Sequence, residues 1–264
     1  MRWYRSSRIL QWSIIILLGI FAMGPLLWIV FCSFENPVLY KVENIFIWME
    51  KYLSVEQYAD ILFHNLEYWA AYWNTIFLTV PTIIAAIGIA SMAAYGLAVM
   101  KKQLQNRILF VYAILSLLPM QALLVSHLIS LSNLHLNGSR LAVILIGSCS
   151  PWYVFFLYRL CKRIPVEVLE MARVEGASEW TVFRKIALPQ MRLGIMVFGI
   201  IISADLWGMV EEPLVYIQDP AKYPLSVLFH ETGADIPYAG VVIFSLPVVL
   251  VFLGGIRKTM KGEE

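Results

Sequence analysis

Charge is what this sequence has least of: Asp, Glu, Lys and Arg make up only 14% of its 264 residues, while 60% are hydrophobic. A soluble domain of similar length carries about a quarter charged residues, so a water-facing surface is excluded over much of the chain. The deficit falls in blocks. No charged residue occurs over 9–34, 68–100, 108–139, 141–158 or 236–256. Each block reaches or exceeds the roughly 18 residues at which a membrane-spanning helix becomes the default reading. Cysteine is scarce too: Cys32, Cys149 and Cys161 have no metal-ligand spacing and give no disulfide framework. No catalytic residues, no metal and no cofactor are expected.

A sixth span follows from 193–210, which is apolar apart from Ser203 and Asp205. The fold class is therefore all-α, a polytopic bundle of six helices forming a single transmembrane domain over 1–264. Arg2, Arg5 and Arg8 precede an apolar run too long for a signal core, which reads as an uncleaved first span. Alternating the spans from an internal N-terminus puts sixteen of the twenty Lys and Arg on one side, leaving Lys41, Lys51, Arg140 and Lys222 opposite. That bias predicts both termini in the cytoplasm.

Between spans one and two, Ser54–Phe63 reads as a short surface helix, with Trp48, Tyr52, Tyr58 and Trp69 as interfacial aromatics. Span two, near Trp73–Met100, carries Gly88, Ala90, Ala94 and Gly96, a composition that suits close helix approach. Span three begins near Ile108 and holds Pro119, Gln121, Ser126, His127 and Ser130. Polar groups in hydrocarbon need a cavity or a partner, so Gln121, His127 and Ser130, with Asp205 and Trp207 of span five, are candidate pathway residues. For His127 a neutral imidazole hydrogen-bonded to a neighbouring helix is the preferred reading.

The least membrane-like stretch is 161–192. Pro165 can open a helix, and Val168, Met171, Ala172 and Glu175 recur at helical intervals behind it. Gly176 interrupts that helix. Ser178 can cap a second one, on which Trp180, Phe183 and Ala187 share a face, and Pro189 is expected to end it by disfavouring helical geometry at Leu188. Periodicity alone leaves this protrusion either lying on lipid or docking a protein.

The run Glu170, Met171, Ala172, Glu175, Gly176, Ala177 and Ser178, followed by Phe183, Ile186, Leu188 and Pro189, resembles the cytoplasmic signature loop of permease subunits of binding-protein-dependent ATP-binding-cassette importers. Met171, Glu175 and Leu193 depart from the usual alanine, aspartate and proline of that pattern. Asn74, Thr75, Ala94, Tyr95, Pro119, Trp207, Pro213 and Leu214 look like its carbohydrate branch, which contains the maltose permease subunit.

The resemblance implies a non-enzymatic permease of the bacterial inner membrane that imports a sugar or oligosaccharide. It would work with a homologous second permease, two ATPase subunits and an extracytoplasmic solute-binding protein, amid membrane lipid and without nucleic acid. Pro165, Glu170, Met171, Ala172, Glu175, Gly176, Ala177, Phe183, Leu188 and Pro189 would then form the ATPase-coupling surface. An ion-coupled secondary transporter, with Asp205 and His127 at its centre, and a membrane scaffold are the alternatives.

Overall fold

The computed structural model describes residues 2–35, 53–232 and 237–261. Trp48 and Tyr52, expected at the interface, lie outside these, as do Lys41 and Lys51. Among the described residues the regular structure is helical, apart from one isolated bridge between Glu35 and Leu53.

Three helices are long and apolar enough to cross a bilayer unaided: α1 (Arg2–Cys32), α3 (Leu66–Val99) and α13 (Tyr238–Lys261). Pro25, Pro81 and Pro247 lie inside them without ending them. The short helix α2 is Glu56–Phe63. Three bent pairs of helices also pass this test, so by length and composition the count reaches up to six when each pair is one crossing.

Spans three and four are each broken by a bend. Span three is α4 (Lys102–Ser116) and α5 (Met120–Asn133), meeting at 106°. Span four is α6 (Arg140–Ser148) and α7 (Pro151–Cys161), meeting at 41°. A proline stands at each break: Pro151 opens α7 and keeps the residue before it out of helical geometry, while Pro119 is itself the N-cap of α5. Pro119 caps α5 with extended backbone, and Ser150 before Pro151 is extended as well.

The chain folds into two compact units, Met1–Trp69 with Thr232–Leu246, and Ala70–Glu231 with Pro247–Glu264. In the first, Gln57 is buried and acts as a three-way tie. Its amide donates to the carbonyls of Cys32 at 3.0 Å and Glu35 at 2.8 Å and accepts from the Ala239 N–H at 3.3 Å. Tyr68 donates to the Gly240 carbonyl at 2.8 Å. A Cβ at Gly240 would stand 3.2 Å from the Tyr68 ring, so glycine is what lets these elements approach.

In the second unit, α3 presents Ala86, Ala90 and Ala94, a turn apart and all buried, to a core that includes Leu157, Val182, Phe198 and Ile202. Phe156 and Phe198 stack at 5.2 Å across it. The alanines carry the close packing expected of span two, but Gly88 and Gly96 do not: a Cβ at either would meet nothing within 4 Å. The glycines that matter sit elsewhere. Gly147 faces Thr82, Gly194 faces Leu160 and Gly255 faces Ile200, each too closely for an added Cβ to fit without a shift.

Candidate functional site

The segment 161–192 folds as a knob of two helices. The first, α8 (Val166–Val174), has Pro165 at its N-cap and turns Leu169 inward. It ends in a Schellman motif: Gly176 at φ +86° donates to the Arg173 carbonyl at 3.0 Å, and Ala177 donates to the Ala172 carbonyl at 3.0 Å. That φ lies in the region glycine alone enters at little cost, which explains why the interruption falls at this residue.

Ser178 then caps α9 (Glu179–Gln190), its hydroxyl accepting from the Thr181 N–H at 3.3 Å. Val182, Phe183 and Ala187 are buried, whereas Trp180 is 58% exposed, so the expected shared face loses Trp180 and gains Val182. Phe183–Ala187 is a π-helical turn in which the Leu188 N–H reaches back to the Phe183 carbonyl.

Contrary to expectation, Leu188 is helical at φ −60° and ψ −45°, and Pro189 continues the element. The wide turn accounts for this, because a proline ring ordinarily clashes with the carbonyl four residues back, and a π turn moves that carbonyl aside. The separation from α10 (Arg192–Trp207) falls instead at Met191, where the axis bends by 73°.

Of the residues singled out in this segment, Pro165, Glu170, Met171, Glu175, Gly176 and Pro189 are exposed. Ala172, Ala177 and Leu188 are half-buried and Phe183 is buried. The knob is fastened at a group the spacing did not reveal. Arg173 on α8 donates to Glu179 on α9 through Nε at 2.6 Å and through its second nitrogen at 3.2 Å. Tyr95 on α3 donates to the same carboxylate at 2.7 Å. Arg173 and then Tyr95, by hydrogen bonding, hold the Glu179 carboxyl below its ordinary pKa. Glu179 lies six positions after Arg173, on the far side of the Gly176 turn, so neither helix read alone pairs them.

The pathway candidates do not converge on one point. Gln121 donates to both carboxylate oxygens of Glu211, at 3.0 and 2.8 Å, at the start of α11 (Glu211–Tyr216). His127 Nδ1 lies 3.0 Å from the Tyr216 hydroxyl, so it has the helix partner that one reading gave it. Ser130 is exposed and donates to the Ser126 carbonyl at 2.8 Å within its own helix. Trp207 is buried and meets the Tyr72 ring edge-on at 5.9 Å. Asp205 is exposed. Burial, and then the charges of Asp205 and Glu211, push the nearby Glu212 carboxyl above its ordinary value.

Asn74 also plays a part that spacing alone did not show. Its amide nitrogen donates to the carbonyls of Ala221 at 2.9 Å and Tyr223 at 3.0 Å, and its oxygen accepts from Arg140. Thr75 donates to the Ala71 carbonyl and accepts from the Leu225 N–H at 2.9 Å, at the start of α12 (Leu225–Thr232). Among the described residues no group of three or more His, Cys, Asp or Glu is placed to hold a metal ion.

Comparison with known proteins bears on both regions. Residues 86–256 match the family described as binding-protein-dependent transport system inner membrane component. The arabinooligosaccharides transport system permease protein AraQ of Halalkalibacterium halodurans is 25% identical over 94% of this chain and 93% of its own. The lactose transport system permease protein LacG of Rhizobium radiobacter is 21% identical over 98% and 95%. Among solved structures, a chain of a bacterial ABC transporter involved in the import of the acidic polysaccharide alginate superposes with a TM-score of 0.82 at 21% identity, covering 96% of this chain and 97% of that one.

Proposed function

The chain belongs to the family of binding-protein-dependent transport system inner membrane components, and from that premise we propose that it is the permease subunit of an ATP-driven importer for a sugar or oligosaccharide. The family is one of transport components rather than enzymes. The sugar assignment is supported by relatives named for arabinooligosaccharide and lactose transport.

In this reading residues 1–264 serve as one transmembrane domain in the bacterial inner membrane, with both termini cytoplasmic and 161–192 as its coupling loop. A homologous second permease completes the pathway, two ATPase subunits bind below, and a solute-binding protein delivers from outside. The observation that carries the proposal is the knob itself. A helix locked by the Gly176 turn holds Glu170, Met171 and Glu175 outward while Leu169 and Phe183 anchor it.

Pro165, Ala172, Ala177, Leu188 and Pro189 shape the same surface. Closure of the ATPases around ATP moves this rigid element and biases the bundle between two arrangements. Gln121, His127, Ser130, Asp205 and Trp207 are proposed to border the solute route, supplying hydrogen bonds and an aromatic face.

The test is uptake by the complete complex in vesicles loaded with ATP. Sugar uptake that stops when the ATPase active site is disabled supports the reading; uptake that persists and follows a proton or sodium gradient overturns it. Asp205→Asn is expected to change the rate or affinity of uptake. Unchanged values for both would remove Asp205 from the route.

A further inference from the structure

One carboxylate joins three elements of the second unit. Glu179 at the start of α9 accepts from Arg173 of α8 through two nitrogens and from the hydroxyl of Tyr95 on α3. The tyrosine is 6% exposed, and its ring lies 5.4 Å from that of Phe183, which in turn lies 5.5 Å from Trp180. We propose that Tyr95 and Glu179 form the latch through which movement of the knob is passed to the long spanning helix α3, with Arg173 holding the carboxylate in position. The inference rests on the coupling reading above and adds to it positioning residues that lie outside the docking surface.

The physical need for such a latch follows from the other contacts. Leu169, Val182, Phe183 and Ala187 bury the underside of the knob, but apolar contacts resist separation more than sliding or rotation. A hydrogen bond to a charged acceptor is directional and strong for its size. Tyr95 is the latch member carried by a spanning helix, and removing its hydroxyl leaves the Arg173–Glu179 pair intact inside the knob. Docking of the ATPase would then continue, while part of each stroke would be lost as the knob rocks against α3.

The experiment compares wild type with Tyr95→Phe and Glu179→Gln in the complete reconstituted complex. ATP hydrolysis and sugar uptake are measured together. Spin labels at Val99→Cys and Val174→Cys, in a background lacking the three native cysteines, report the distance from α3 to the knob. For Tyr95→Phe, hydrolysis is expected within about twofold of wild type, uptake per ATP about five- to tenfold lower, and the distance distribution broader.

An unchanged uptake-to-hydrolysis ratio together with an unchanged distribution in Tyr95→Phe overturns the latch. So does a loss confined to Glu179→Gln, which would mean that the carboxylate only folds the knob. If wild type shows no ATP-driven uptake, the coupling reading fails instead, and the latch is judged on the distance distribution alone.

Discussion

The knob and the α5–α11 edge are both polar places in an apolar chain, yet they handle their acids in opposite ways. In the knob Glu179 meets a guanidinium and a phenol, and its charge is favoured. At the edge Glu211 meets a neutral amide, while Glu212 is half-buried beside Asp205 and Glu211, and its charge is disfavoured. A fully paired carboxylate fixes geometry. A partly desolvated acid among other acids leaves the local charge open to change.

The sharpest way to break this contrast is to destroy the fixed side. Gly176→Pro cannot adopt φ +86°, so the Schellman turn must be rebuilt and α8 reoriented. Uptake per ATP in vesicles is expected to fall at least about tenfold, with membrane insertion unchanged. Normal coupled uptake would show that the turn is dispensable.

A smaller effect sharpens the contrast through pH. Because the Glu212 value is raised, the folded state holds that proton more tightly than the unfolded chain does. The resulting stabilisation is complete below the ordinary value of 4.5 and is lost as pH rises through the elevated value. Glu179 behaves in the opposite sense: its contribution is present above the ordinary value and is lost only as pH falls through the depressed one. Its side chain is 59% exposed, so that contribution is small. Glu212→Gln should therefore raise the melting temperature at neutral pH by about 2–4 °C and flatten its dependence on mild acidification. A variant that melts at the wild-type temperature throughout would place Glu212 in water.

The smallest expected change is at His127. Tyr216→Phe removes its 3.0 Å partner and should cost about 0.5 kcal/mol in thermal unfolding, the low end for a hydrogen bond, since the imidazole is only half-buried. A loss several times larger would make that pair a structural clamp comparable with the knob.

Legibility in the sequence divided along the same line. The spans were readable because an uncharged run of sufficient length has one stable solution in lipid. Gly176 and Ser178 were readable because the chemistry of a turn and a cap is local. The breaks at Pro119 and Pro151 carried a local signal as well, but run length masked it: an apolar block counts the same whether its helix is straight or bent by 106°.

The Tyr95–Glu179 bond joins residues 84 positions apart, and the Asn74 bonds to Ala221 and Tyr223 span 147 and 149. No periodicity reports such pairs. Asn74, Thr75 and Tyr95 were visible only as points of family resemblance, without the contacts that explain them. Pro189 misled for a subtler reason: the rule that a proline ends a helix assumes four-residue hydrogen bonding in front of it, and here the bond spans five.

That five-residue bond has a bearing on length. Each residue of an α-helix turns the chain by about 100°, so the extra residue held between Phe183 and Ala187 sets the angular register of everything before it against Arg192 and beyond. Deleting any one of those five would mend the hydrogen-bond ladder and still swing the tip of the protrusion a quarter-turn or more out of alignment. Insertions and deletions are therefore less tolerable here than substitutions, and a helical wheel drawn straight through this stretch assigns its far end to the wrong side.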